Sequence, residues 1–191
     1  PANGTMTFNA ITIPISESDR KQLAGEAMFI RAYHYFNLVR LFGGVFLIHQ
    51  PVTPTEAKVI NRSTVADVYK LIEADLTTAA ASMNTLKFNQ IPSADIGRAT
   101  SWAAKGLLAK VYLTLNRKAE AIPLLQDVIS NSGYSLQSSY ANVFSITNEM
   151  NSEILFAVRY KAGGFGLGSA FGNNFGPLGT GSTVINGDGD G

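Results

Sequence analysis

The chain lacks several residues and patterns on which common classes of protein depend. It has no cysteine, which excludes disulfides, zinc-thiolate sites and a cysteine nucleophile. No apolar run reaches the roughly 20 residues of a membrane-spanning helix, and no basic start followed by an apolar segment marks a signal peptide. The protein is therefore either cytosolic, or its targeting segment lies outside this sequence.

Charge of either sign is not in excess. Fifteen Lys and Arg residues balance fourteen Asp and Glu residues, and they are spread along the chain. Nucleic-acid binding needs a clustered positive field, so no nucleic-acid partner is expected. The sequence has neither GxGxxG nor the Gly-Lys pair of a P-loop, so its glycines do not indicate a nucleotide site.

Catalytic patterns are also missing. Of the two histidines, His34 lies in an aromatic stretch of a predicted helix, which favours a structural role. His49 lies in a predicted loop with no Ser, Asp or Glu in a recognisable arrangement around it, and GxSxG does not occur. We therefore expect a protein that is not an enzyme.

What the chain does contain is helical periodicity, most clearly in residues 97–133. The apolar residues there recur every three or four positions, and a short step at residues 115–117 separates two such runs, which predicts an antiparallel helical hairpin. The spacing also fits a tetratricopeptide repeat of about 34 residues. The matching positions are Leu108, Ala109, Tyr112, Ala121, Leu125 and Val128.

A second helical pair is predicted upstream. One long helix begins near Ser16 or Ser18 and ends at Phe42 before Gly43, and another begins after the N-capping residue Thr64. The first has a wide apolar arc, which indicates a helix covered from two sides. The second has one apolar face, with its polar residues on the other. Those polar residues are Asp67, Lys70, Glu73 and Asp75.

The remaining segments are expected to be less regular. Residues 1–15 have the Pro and Gly punctuation of an irregular lead-in, and Pro51 and Pro54 argue against regular structure in residues 49–62. Residues 153–160 suit either a short strand or a helix. From residue 162 onward, eleven of the last thirty residues are glycine, which ends the helical stack.

These patterns predict a mainly α fold of tetratricopeptide-like helical hairpins, an α-α superhelix, with an irregular Gly-rich C-terminal segment. Residues 1–160 form the helical scaffold. Residues 161–191 form the start of a loop-rich lobe that is incomplete in this sequence.

Candidate ligand residues are few. Flat rings with nearby amides suit carbohydrate, and the Gly-rich segment offers Phe165, Phe171 and Phe175 beside Asn173 and Asn174. Packing against the rest of the lobe is the favoured alternative for these rings. Trp102 is a further candidate platform, for which packing is again favoured.

A cofactor is not expected. Asp188 and Asp190, with Asn186 before them, match the start of a calcium-binding loop, but the sequence ends before the bidentate glutamate of that pattern. Calcium is therefore a weak possibility beside an ordinary polar turn.

Several segments together resemble the SusD/RagB family, the glycan-binding surface lipoproteins of Bacteroidetes. They are GEAMFIRAYHYFNLVRLFGGVFLI at residues 25–48, RSTVADVYKLIEADLTTAA at 62–80, GRATSWAAKGLLAKVYL at 97–113, Gly133-Tyr134-x-Leu136, and EILF at 153–156. The resemblance covers roughly residues 16–160 in the family's order and spacing.

The resemblance implies a cell-surface protein of the outer membrane that binds oligosaccharide and delivers it to a SusC-type TonB-dependent transporter without hydrolysing it. Family proteins are longer and carry a signal peptide and a lipid-bearing cysteine, so we expect this chain to be an internal piece that reaches the membrane only through an anchor absent from it. The alternative is a tetratricopeptide-type scaffold that binds a peptide or a partner subunit. A ring-lined concavity with Asn or Asp nearby favours sugar, and a long helical groove favours peptide.

Overall fold

The computed structural model describes residues 5–8 and 11–160. The chain divides into two compact units, Pro1–Phe156 and Ala157–Gly191, and the account below concerns the first. It begins with an antiparallel hairpin of two strands, β1 (Thr5–Phe8) and β2 (Ile11–Pro14), in which Thr5 pairs with Pro14 and Phe8 with Ile11. The prediction of an irregular lead-in was wrong here. Alternating threonines and apolar residues favour a strand, and that period of two outweighs the nearby Pro and Gly.

The first long helix, α1, spans Glu17–Phe42. The Ser16 side chain accepts a hydrogen bond from the Asp19 amide at 3.0 Å, and Gly43 ends the helix with φ of 70°. Both predicted ends are confirmed, and each has its expected cause, an N-cap hydroxyl and a left-handed glycine.

The buried face of α1 is narrower than the apolar arc in the sequence. It comprises Gly25, Phe29, Ala32, Phe36 and Val39. Leu41 and Phe42 are exposed, so the prediction of a helix covered from two sides was wrong for its C-terminal turn.

Residues 49–62 contain one short helix, α2 (Pro54–Ala57). Thr53 and Glu56 form a reciprocal capping box at its start, with Pro54 in the first turn. A proline there has no hydrogen bond to lose, which explains why this residue starts a helix where regular structure was not expected.

The next helix, α3, spans Val65–Ser82, with Thr64 as its N-cap as predicted. Its apolar face is buried as expected from Val68 onward, whereas Val65 in the first turn is 46% exposed. Asp75, however, is buried too, at 4% exposure, because two hydrogen bonds of 2.7 Å from Arg31 satisfy its carboxylate. The prediction that Asp75 lies on the solvent face was wrong, since a partner 44 residues away cannot be read from local periodicity.

The central hairpin is present as predicted. It consists of α4 (Ser101–Thr114) and α5 (Lys118–Asn131). Asn116 takes φ of 59° in the turn, and the Arg117 amide donates to the Tyr112 carbonyl at 2.8 Å. Of the tetratricopeptide positions, Leu108, Ala109, Ala121 and Val128 are buried.

The four long helices stack in sequence, with α3 packed between α1 and α4, and α5 against α4. The Gly25 end of α1 lies beside Met83 at the end of α3, and Gly44 lies beside Ser63 at its start, so α1 and α3 run antiparallel. The predicted mainly α fold of tetratricopeptide-like pairs is confirmed. No helix in the described part of the chain is both long enough and apolar enough to cross a membrane.

A loop after α5 carries the last short helix, α6 (Tyr140–Val143). Residues 153–160, whose sequence suits either a strand or a helix, form neither. Leu155 instead packs over Gly106 of α4, and the Phe156 ring meets the Phe29 ring edge-on at 4.8 Å. Leu155 and Phe156 therefore pack on α4 and α1, respectively.

Candidate functional site

The helical unit contains an open cleft of about 620 Å³. Its sides are the first turns of α1, the end of α3 with the loop that follows, and the residues just before α4. These side chains include Leu23, Gln22, Asn84, Leu86, Asp95 and Arg98. The antiparallel packing of α1 on α3 thus brings together residues that are far apart in the sequence.

The amide groups in this cleft are held in fixed positions. The Gln22 side-chain oxygen accepts hydrogen bonds from the Asn84 backbone N–H at 2.8 Å and from its side-chain Nδ2 at 3.2 Å. The Gln22 Nε2 donates to Glu26 Oε1 at 2.6 Å and to the Ala99 carbonyl at 3.3 Å. The Gln22 side chain on α1 thereby links the loop after α3, at Asn84, to the residues just before α4, at Ala99.

Arg98 is the second anchored group. Its Nε and Nη2 each donate to the Glu26 carboxylate at 3.0 Å, and its Nη1 donates to Asp95 at 3.3 Å. The Glu26 bonds raise the pKa of Arg98 above its ordinary value, so the guanidinium is charged throughout the accessible pH range. Three of its five N–H groups are used here, which leaves two for a ligand.

The floor of the cleft continues into the core. Met83 and Ala99 are buried beneath it, and the buried Thr100 side chain accepts a hydrogen bond from the Ala103 amide at 3.3 Å to cap α4. Ser101 donates to the Ala80 carbonyl at 2.6 Å, tying α4 to α3. The cleft therefore rests on a rigid base, and a ligand there would meet side chains that are already ordered.

No aromatic ring lines this cleft. An exposed pair of rings lies elsewhere, at the first residue of α6 and at the residue that follows this helix: Tyr140 is 82% exposed and Phe144 is 68% exposed, with their ring centroids 5.0 Å apart. Asn142 lies between them in the sequence, and its side-chain amide donates to the Ser138 hydroxyl at 3.1 Å. The ring-lined concavity that would favour sugar is therefore not found at this cleft, and the aromatic pair lies apart from its lining.

The loop that bears this ring pair is held from beneath by Asn151. Its buried side-chain amide donates to the carbonyls of Val143 and Asn148 at 3.0 Å each. Gln137 adds a backbone hydrogen bond to Glu153 at 2.7 Å. The two rings are therefore carried by an ordered loop although they face solvent.

Trp102 is buried within α4. Its indole N–H donates to the Leu86 carbonyl at 3.0 Å, and Lys105 Nζ lies 4.5 Å from the ring centroid. These contacts are those of a packed ring, and a ligand role for Trp102 stays a prediction. The other predicted site residues lie outside the described residues: Phe165, Phe171, Asn173, Asn174, Phe175, Asp188 and Asp190.

The two histidines are both exposed. His34 makes an edge-on contact with the Tyr33 ring at 5.7 Å. Within the described residues, no group of three or more His, Asp or Glu side chains is arranged to hold a metal ion.

Sequence reasoning missed the cleft. Arg98 and Glu26 are 72 residues apart, and Gln22 and Asn84 are 62 apart, so no local pattern connects them. Arg98 does lie in the segment GRATSWAAKGLLAKVYL, one of those that resemble the SusD/RagB family, but the resemblance implied no role for this arginine.

Comparison with known proteins extends these observations. The profile of a SusD-like family, described as starch-binding and associating with the outer membrane, matches residues 7–113, which include the whole cleft. A SusD-like protein of Bacteroides ovatus is 34% identical over 159 residues, covering 76% of this chain and 28% of that protein.

Solved structures agree with the fold. A laminarin-binding SusD-like protein is 32% identical with a TM-score of 0.73, over 78% of this chain and 33% of that one. A structure determined with xylogluco-oligosaccharide is also 32% identical, with a TM-score of 0.67, over 76% of this chain and 30% of that one. The chain thus spans about a third or less of the length of these relatives. With the family profile matching more than half of its residues, the chain belongs to the SusD-like family.

Proposed function

We propose that this chain is part of a cell-surface protein of the outer membrane that binds oligosaccharide. The observation that carries the proposal is its membership of a family described as starch-binding, together with similar structures that are described as laminarin-binding or contain xylogluco-oligosaccharide. The cleft supports it, because ordered amide and guanidinium groups beside aliphatic side chains suit a ligand with many hydroxyls.

Delivery of the bound sugar to a SusC-type TonB-dependent transporter is the second part of the proposal. It rests on the family resemblance and on the described association of the family with the outer membrane. A tagged full-length protein is expected to co-purify with a transporter of that type from detergent-solubilised outer membranes. Recovery of the tagged protein without any such transporter would contradict this part.

The protein is proposed to bind sugar without cleaving it and to need no cofactor. Hydrolysis of a glycosidic bond commonly uses two carboxylic groups that flank it. In the cleft, Asp95 is engaged by Arg98, and Asp19 accepts a hydrogen bond from Ser16 at 2.6 Å. Both carboxyl groups are thus already engaged by neighbouring side chains, which supports a binding role.

The test is calorimetric titration of the full-length protein with a panel of oligosaccharides, followed by chromatography of the recovered sugar. We expect heat of binding with at least one glycan and no change in its length. Appearance of shorter products would contradict the non-enzymatic role, and absence of binding to every glycan would contradict the function itself.

A tetratricopeptide-type interaction scaffold is the alternative, and the solvent-facing pair Tyr140 and Phe144 favours it. Exposed apolar rings on an ordered loop are typical of a contact surface for another polypeptide. Changing both Tyr140 and Phe144 to serine tests whether the pair contributes to binding of a partner protein or to binding of sugar. Loss of partner capture with unchanged sugar binding would assign the pair to a protein contact.

A further inference from the structure

The outer face of α5, the last long helix of the described stack, carries apolar side chains that remain exposed. We propose that this face packs against a further amphipathic helix, supplied by a part of the full-length protein that lies outside this sequence. The inference concerns the helical scaffold and does not depend on the proposed glycan binding.

The apolar residues of α5 form two adjoining stripes. Ala121 and Val128 are buried in the stack, at 0% and 6% exposure. Ile122, Leu125 and Ile129 recur at intervals of three and four residues, so they share a neighbouring face, the outer stripe. Ile122 is 52% exposed and Ile129 is 76% exposed, while Leu125 is half-buried. Half of the apolar arc of α5 therefore faces outward.

Exposure to water does not account for the outer stripe. The rest of the exposed surface of α5 is small or polar and includes Ala119, Glu120, Gln126 and Ser130. A helix that ends a stack in solution has polar residues over its whole outer surface. Two isoleucines with a leucine between them on one face instead indicate a contact surface.

The first helical pair shows how a helix in this position is used. Its second helix, α3, packs against both α1 and α4. The contact with α1 includes the ion pair of Asp75 with Arg31, and the contact with α4 includes the hydrogen bond from Ser101 to the Ala80 carbonyl. In the second pair α5 has the corresponding place, but within the described residues α4 is the one helix that packs against it. Because each repeat of a helical stack contacts both of its neighbours, the outer stripe of α5 is where the next helix is expected.

The helix expected there has the character of α4. The side chains that α4 packs into the core are small or aliphatic, and Ala104, Leu108 and Val111 among them are buried at intervals of four and three residues. A helix with this pattern and a polar opposite face would cover Ile122 and Ile129 as α4 covers α3.

Relatives of this chain are long enough to supply such a helix. The matched region makes up 28% of the Bacteroides ovatus protein and 33% of the laminarin-binding protein. In a full-length protein of that length, most of the polypeptide lies outside this sequence and is available to complete the stack.

The test measures the reactivity of a thiol placed on the outer stripe of the full-length protein. This chain has no cysteine, so Ile129→Cys adds a thiol to a region that otherwise lacks one. Ser130→Cys is the matched control, since the neighbouring residue is exposed on the polar side of α5. We expect a maleimide to label residue 129 at least about tenfold more slowly than residue 130, because a packed helix must first open locally. Mass spectrometry of the α5 peptide gives the extent of labelling.

Three results would overturn the inference. One is labelling of residue 129 as fast as residue 130 in the folded full-length protein. Another is protection that disappears on dilution, because a second copy of the protein would then be the occupant. The third is equal protection in the folded 191-residue chain alone, which would show that this chain covers the stripe itself. Calorimetry measures glycan binding separately, so none of these results bears on the proposed function.

A second pair of variants covers the case in which Ile129→Cys fails to fold. Ile122→Cys lies on the same stripe, and Ala119→Cys is its exposed control on the same helix. Residue 122 should again react at least about tenfold more slowly than residue 119 in the full-length protein. Equal rates at these two positions would contradict the presence of a covering helix.

Discussion

The ion pair between Arg31 and Asp75 joins α1 to α3, the two helices that contribute opposite sides of the cleft. Its members differ in burial, since the Asp75 side chain is only 6% exposed and that of Arg31 is 32% exposed. Both hydrogen bonds that the structure gives to the Asp75 carboxylate within residues 15–160 come from Arg31. Removing the arginine therefore leaves a buried charge without a partner.

The perturbation is Arg31→Met, which keeps most of the side-chain volume. Breaking a buried pair from one side costs about 3–5 kcal/mol, a large part of a total stability that is typically about 5–15 kcal/mol. In a chain of this size, that loss should lower the Tm by roughly 10 °C. Arg31→Met combined with Asp75→Leu should recover most of the loss, because no buried charge then remains.

The assay is urea unfolding followed by circular dichroism, with thermal unfolding as a second measurement. Arg20→Met is the matched control, since Arg20 lies in the same helix in an exposed pair with Glu17, and should change stability by less than about 1 kcal/mol. A loss below about 1 kcal/mol in Arg31→Met, or a double variant no more stable than this single variant, would refute the burial argument.

Two further predictions concern the rest of the scaffold. Gly44→Ala should destabilise the protein by more than about 1 kcal/mol in urea unfolding. The Cβ of the new alanine would lie 2.2 Å from the Ser63 carbonyl oxygen, so the backbone must shift to accept it. Wild-type stability in this variant would contradict the prediction. For Asp127, hydrogen bonds from Lys105 and Asn131 lower the carboxyl pKa below its ordinary 3.8. The stability that the Asp127 carboxylate contributes is therefore fully present above pH 3.8 and is lost as the pH falls through the lower pKa of the folded state. Asp127→Asn should accordingly reduce the difference in unfolding free energy between pH 6 and pH 3. An undiminished difference in this variant would contradict the prediction.

The helix ends and the central hairpin could be predicted from the sequence because their causes are local. Ser16, Thr64 and Gly43 act on helix ends within a few residues of themselves, and the ends they predicted are those observed. The hairpin of α4 and α5 was equally readable, because its small and large apolar residues repeat at a helical period and the short turn allows only a reversal.

Other predictions were wrong because two local signals in the same segment favour different structures. In the first fifteen residues, punctuation by Pro and Gly concealed the period of two that forms β1 and β2. Pro54 by itself predicts irregular structure, although in the first turn of α2 a proline fits the helix.

The sequence by itself determined the helical pairs, their ends and the family to which the chain is similar, since those depend on periodicity, capping residues and motifs within short segments. Only the tertiary structure decided that Asp75 is buried on Arg31, that Gln22 meets Asn84, and that Arg98 is held by Glu26. These contacts join residues 44 to 72 positions apart, and a side chain's partner at that distance depends on how whole helices pack. The candidate cleft is formed by such contacts, so it can be identified only from the packing of α1, α3 and the start of α4 in the tertiary structure.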